Sequence, residues 1–125
     1  MPAKEIQLPR DRTCAVRARR WLEANAPAHV AGDALDDAKL VATELVENAL
    51  VHGEGEIRLR LDVLGDRLRI EVTDEGKHAA IKIREQGPQL GGWGLVLVDR
   101  LAAAWGAYEG TTHVWAELLS APRSS

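Results

Sequence analysis

Three polar residues recur at four-residue intervals in TELVENALVHG, residues 43 to 53: Glu44, Asn48 and His52. On a helix a step of four returns to nearly the same face, which puts Asn48 about 40° and His52 about 80° round from Glu44. Val41, Leu45, Val46, Ala49, Leu50 and Val51 around them are apolar, and a helix apolar over most of its circumference is normally buried. A buried carboxylate without a partner is costly, so the three groups are expected to face a polar cleft. Asn48 offers a neutral oxygen suited to a hard cation such as Mg2+. Glu44 could accept a proton or orient a hydroxyl or water. His52 could donate a hydrogen bond to an anion.

Two further segments carry candidate chemistry. Asp74 follows the alternating run LRIEV and precedes Gly76. Asp at a strand end is often a turn residue bonded to its own backbone; beside a close-approach glycine it could instead accept from an exocyclic amine such as that of adenine. The run Gly91-Gly92-Trp93-Gly94-Leu95 leads into a predicted helix. Glycines let the backbone approach a ligand, and free N–H groups at a helix start favour anions such as phosphate. The run fits neither GxGxxG nor GxxxxGK[ST], so Rossmann and P-loop readings lack their main support.

The elements that must position these residues follow from periodicity. EIQL, residues 5 to 8, predicts a short strand. Asp11 is a candidate N-cap for a helix from Arg12 to about Ala26, stopped by Pro27. Asp33 is a candidate cap for a second helix running to Gly53, with Asp36 adding negative charge to its first turn. Ile57, Leu59, Leu61 and Val63 alternate with charged residues, as do Leu68, Ile70 and Val72, and Gly65-Asp66 between the runs predicts a tight type II′ hairpin. Residues 74 to 91 read as a long loop. A helix with Leu95, Val98, Leu101 and Ala102 on its apolar side comes next, and then a second hairpin from about Gly106 to Leu119, turning at Glu109-Gly110. The expected fold class is α/β: a two-layer sandwich with about three helices on one face of a mainly antiparallel mixed sheet.

Composition bounds the rest. The 125 residues suit one domain over 1–125, with a frayed tail at 120–125. Apolar runs fall far short of a membrane span, and MPAKEIQLPRDR lacks the apolar core of a secretory signal, so a cytoplasmic protein without membrane contact is expected. Cys14 is the single cysteine, which excludes an internal disulfide. Net charge is −3, and Arg17, Arg19 and Arg20 form the densest basic cluster, ordinary for a solvated helix face. Neither a concentrated basic patch nor a nucleic-acid motif is present, so direct nucleic-acid binding is not expected.

The order of the three segments resembles the histidine-kinase-like (GHKL) ATPase domain, which has the Bergerat ATP-binding fold. The match is nearest to its short branch of anti-sigma-factor serine kinases and related bacterial ATP-binding regulators. ELVENALVHG looks like the branch's asparagine box, DEG like its first glycine box and GGWGLVLV like its second, and THVWAEL resembles its final strand. The resemblance implies ATP and Mg2+ as cofactors, with Asn48 on the metal and Glu44 as the catalytic carboxylate. It places Asp74 on the adenine amine, Gly76 beside the base, and Gly92, Gly94 and Leu95 at the phosphates. Thr112, or its neighbour Thr111, would support the base, and His52 would approach the phosphates. His78 stands where the fuller DxGxG pattern has a second glycine, and the lid between the glycine boxes is short.

The activity implied is that of a protein serine/threonine kinase acting on an anti-anti-sigma (STAS-type) partner, with a sigma factor as second partner and homodimers common in the branch. The alternative, from another class, is a non-catalytic ATP-binding interaction module. Retention of Glu44 favours the kinase; His78 and the short lid favour the module. A histidine-kinase catalytic domain is disfavoured, because too few residues precede Asp33 for a dimerising helical hairpin.

Overall fold

The computed structural model describes residues 3–30, 32–75, 93–107 and 113–119, with the backbone alone at 93–95 and 107. Strict alternation builds its sheet. Strands β1 (Lys4–Leu8), β2 (Ile57–Leu64), β3 (Arg67–Thr73), β4 (Ala104–Ala107) and β5 (Val114–Leu119) lie in the order β1-β2-β3-β5-β4. All four pairings are antiparallel. Ile57, Leu59 and Leu61, with Leu68, Ile70 and Val72 and with Val114, Ala116 and Leu118, are buried on one face. Between them, Arg58, Arg60, Arg69, Glu71, Trp115 and Glu117 occupy the other face, as the two-residue period of a strand requires.

Among the described residues three helices cover the apolar face: α1 (Cys14–Asn25), α2 (Asp33–His52) and α3 (Trp93–Leu101). Helix α2 is the central one, packed against α1, α3 and three strands. Val41, Ala42, Leu45, Val46 and Ala49 of α2 are buried. Each large aliphatic side chain so removed from water contributes about 1.5–3 kcal/mol, far more than any single polar contact on this helix. Arg19 Nη1 donates to Thr43 Oγ1 at 3.1 Å, and Lys39 pairs with Glu23 at 3.1 Å, joining α1 to α2 at its rim. Among the described residues no helix is long and apolar enough to cross a membrane.

The outer sheet face is a charged network. Arg69 bonds Glu71 at 2.6 Å and Glu117 at 2.7 Å, and its guanidinium lies 4.4 Å from the centre of the Trp115 ring. Trp115 is thus on the open face, as the alternation predicts, and Arg69 is stacked on it. The β2–β3 hairpin also matches expectation: Leu64 pairs with Arg67, and Gly65 adopts φ 64° at the first central position.

Three local expectations are corrected. Asp11 does not cap α1, which starts at Cys14 with Thr13 in the cap position and no capping side-chain bond. Asp11 Oδ1 instead accepts from the Thr13 N–H at 2.7 Å and hydroxyl at 2.6 Å, a turn that ends before the helix begins. Those bonds hold the Asp11 carboxyl below its ordinary pKa. Asp33 is likewise not a cap; it is the first helical residue, after Gly32 at φ 58°. It acts with Asp36 as negative charge in the first turn, which the helix dipole favours. Finally, the second hairpin, expected from about Gly106, begins two residues earlier, where Ala104 and Trp105 open strand β4. Helical preference of alanine is worth only tenths of a kcal/mol, roughly, and the chain leaves α3 because Ala103 N donates to Glu117 O at 2.7 Å and Trp105 Nε1 to Asp99 Oδ1 at 2.8 Å.

Candidate functional site

The C-terminal end of α2 is where distant parts of the chain converge. The helix stops because Gly53 turns to extended backbone, φ −95° and ψ −167°, while its N–H still donates to Ala49 O at 2.8 Å. These are angles any residue adopts. Glycine is required for a different reason: a Cβ here would overlap the Asp74 carboxylate and sit 2.7 Å from Ala49 O. Asp74 follows β3 directly, and backbone bonding seats it. Glu75 N donates to Glu54 O at 2.7 Å, and Glu56 N donates to Glu75 Oε2 at 2.8 Å. The two loops are laced together, and the Asp74 side chain is fully buried against Gly53.

Arg10, absent from the sequence-derived site, closes this junction. Its Nη1 donates to Ala49 O at 3.0 Å and Leu50 O at 2.9 Å, its Nε donates to Gly55 O at 2.7 Å, and its Nη2 lies 4.0 Å from Asp74 Oδ2. It therefore gives Leu50 O a partner, adds a second donor to Ala49 O, and puts positive charge at the negative end of the helix. The signal for it in the sequence is slight: an arginine between a strand and a helix, with partners up to 45 residues away.

From this junction the polar line runs back along α2. His52, on the last turn, is exposed; Asn48 and Glu44, one and two turns earlier, are half-buried. None of the three spends its side chain on a hydrogen bond or ion pair among the described residues. Burial raises the pKa of Glu44, and the negative charge of Glu47 adds to the rise. A carboxylate so placed holds a proton more readily than an ordinary glutamate, which suits a base. Asn48 presents a neutral oxygen or amide beside it, and the chemistry of this pair fits one hard cation shared with a charged ligand. The expectation that α2 is apolar nearly all round is refined, because Leu40 and Val51 are exposed on the same side as Glu47.

The remaining predicted positions divide. Gly94 and Leu95 lie in the first turn of α3, where backbone N–H groups point out of the helix start. Gly76, Gly92, Thr112, Thr111 and His78 lie outside the described residues, as do the loop from 76 to 92 and the Glu109-Gly110 turn.

Comparison with known families now bears on this arrangement. Residues 8–117 match the model of the histidine kinase-like ATPase domain. The chain belongs to that family. The recognition drawn from the three motifs therefore stands, and the antiparallel sheet backed by helices is consistent with the family's ATP-binding fold. A curated relative, the serine-protein kinase RsbW of Listeria innocua, is 28% identical over 55% of this chain and 55% of its own. The chain thus spans about half the length of the curated relative it matches.

Proposed function

We propose that this member of the histidine kinase-like ATPase family is an ATP-binding regulator that acts as a protein serine/threonine kinase of the anti-sigma-factor type. The observation that carries the reading is one helix with Glu44, Asn48 and His52 in line and the Asp74 carboxylate seated at its C-terminal end. Along the axis, Asn48 and Glu44 stand about 6 and 12 Å from His52, a span within the reach of one nucleoside triphosphate.

In this reading Asp74 accepts from the adenine amine beside Gly76, and Thr112 supports the base. Asn48 would hold Mg2+, a hard cation suited to its neutral oxygen, and the ion would offset the charge of the phosphates. Gly92, Gly94 and Leu95 present the start of α3 to the phosphates, with His52 as a further donor. Bound Mg-ATP supplies the transferable group and spreads its charge. Glu44 takes the proton of a partner's serine or threonine hydroxyl while that oxygen bonds to the γ-phosphorus. The bond from the γ-phosphorus to the leaving oxygen breaks, and ADP departs. The raised pKa of Glu44 supports this role.

The serine-kinase name of the relative supports serine as acceptor. The proposed acceptor is a STAS-type anti-anti-sigma protein, with a sigma factor as second partner and the cytoplasm as setting. The second reading, ATP binding without transfer, is favoured by His78 in the first glycine box. Calorimetry with Mg-ATP tests the shared part: wild type binds, Asn48→Ala loses the Mg-dependent share, and Asp74→Ala binds about tenfold or more weakly. Absence of wild-type binding at millimolar ATP would overturn both readings. Labelled ATP with STAS-type acceptors separates them, since transfer lost in Glu44→Ala establishes the kinase and binding without transfer the module.

A further inference from the structure

We propose that Arg10 is a positioning residue for base recognition, locking the Asp74 carboxylate in the orientation that selects a purine bearing an exocyclic amine. This rests on the reading of Asp74 as the acceptor for that amine. Arg10 is the only described side chain that bonds the end of α2, the loop after it and, by charge, the residue after β3. Three donor bonds fix the guanidinium plane against backbone carbonyls, two of them in the last turn of α2 and one, Gly55 O, in the loop after it.

The fourth donor faces Asp74. Nη2 is buried and makes no hydrogen bond among the described residues, with Asp74 Oδ2 at 4.0 Å. That separation is too long for a hydrogen bond and short enough for a strong charge interaction at a fully buried carboxylate. Gly53 packs against the same carboxylate, where even a methyl group has no room. A fixed cation and a bare backbone beside the same oxygen restrict the carboxylate's rotation about its Cβ–Cγ bond. A fixed acceptor gains more from an amine in the right place than a rotating one, and gives correspondingly less to a ring that lacks the amine.

The test compares ATP with purine riboside 5′-triphosphate, which keeps the ring system and all phosphates but lacks the exocyclic amine. Calorimetry on the full chain is expected to give wild type a preference for ATP of about tenfold or more, the lower range for a hydrogen bond to a charged group. Arg10→Met is expected to shrink that preference to about threefold or less, mainly through weaker ATP binding. Arg10→Lys, which keeps charge but loses the planar fork, is expected to fall between. A folded Arg10→Met that weakens both nucleotides equally, leaving the ratio at its wild-type value, overturns the proposal and assigns Arg10 a purely structural role. Should Arg10→Met fail to fold, a wild-type ratio in Arg10→Lys overturns it. No preference in wild type refutes the Asp74–amine contact itself, a failure distinguishable from the others.

Discussion

Replacing Gly53 by alanine tests how tightly the end of α2 is bound to Asp74. The backbone there is extended, so alanine brings no torsional strain. Its Cβ, however, overlaps the Asp74 carboxylate and approaches Ala49 O to 2.7 Å, and neither neighbour yields freely. The carbonyl belongs to the last turn of α2 and is bonded by Gly53 N and Arg10; the Asp74 side chain is fully buried. Overpacking of this kind costs about 1–3 kcal/mol, while a stiffer unfolded chain returns about 0.4–1 kcal/mol. The midpoint is a net loss of roughly 1.3 kcal/mol, which for a chain of this size lowers Tm by about 4–8 °C. The same displacement moves the proposed base acceptor, so ATP affinity falls by about tenfold. Thermal unfolding by circular dichroism and calorimetry with Mg-ATP read the two effects separately. A Gly53→Ala protein with wild-type Tm and wild-type ATP affinity would show that Asp74 is loosely held, and would refute the argument for both Gly53 and Arg10.

Two pH-dependent predictions follow from opposite shifts. The pKa of Glu44 is raised in the fold, by burial first and Glu47 second, so its ionised form opposes folding above that pKa and contributes nothing below the unfolded value. Glu44→Gln is therefore expected to raise Tm at pH 8 while abolishing transfer, with the stabilisation fading below about pH 4; equal Tm values at pH 8 would count against it. At Glu71 burial pushes the pKa up, but hydrogen bonds from Arg69 and His113 outweigh it and the net shift is downward. Its ionised form stabilises the fold above the unfolded pKa, and that contribution is lost as pH falls through the folded value. Glu71→Gln should melt below wild type at pH 7 and converge with it once pH falls through the folded value of Glu71, whereas parallel curves would show that the network contributes nothing.

Much of the fold was legible because it is written in local periodicity. The alternation in IRLRLDV and LRIEV defines strands, faces and the hairpin turn with no knowledge of partners, and α2 ends where Gly53 suggests. The caps were misjudged because Asp11 and Asp33 satisfy both signals, capping and turn-making, and only the surrounding backbone selects between them. The expected start of β4 fell two residues late, because Ala103 finds its partner in Glu117 across the sheet, a contact no local pattern shows. Glu44, Asn48 and Asp74 could be picked out by type and spacing. Arg10 could not, since its role exists only once residues 49, 50, 55 and 74 are brought together.

Helix α2 runs from Asp33 to His52 without a glycine or proline, and it carries core and candidate site on one continuous thread. A single inserted residue anywhere along it would turn everything downstream by about 100°. Asn48 would leave its line with Glu44 in the same step that Ala49 and its neighbours leave the core. The helix can therefore vary by substitution and hardly at all by length, and differences in length among related chains should fall in the connections on either side, around residues 27–32 and 54–56.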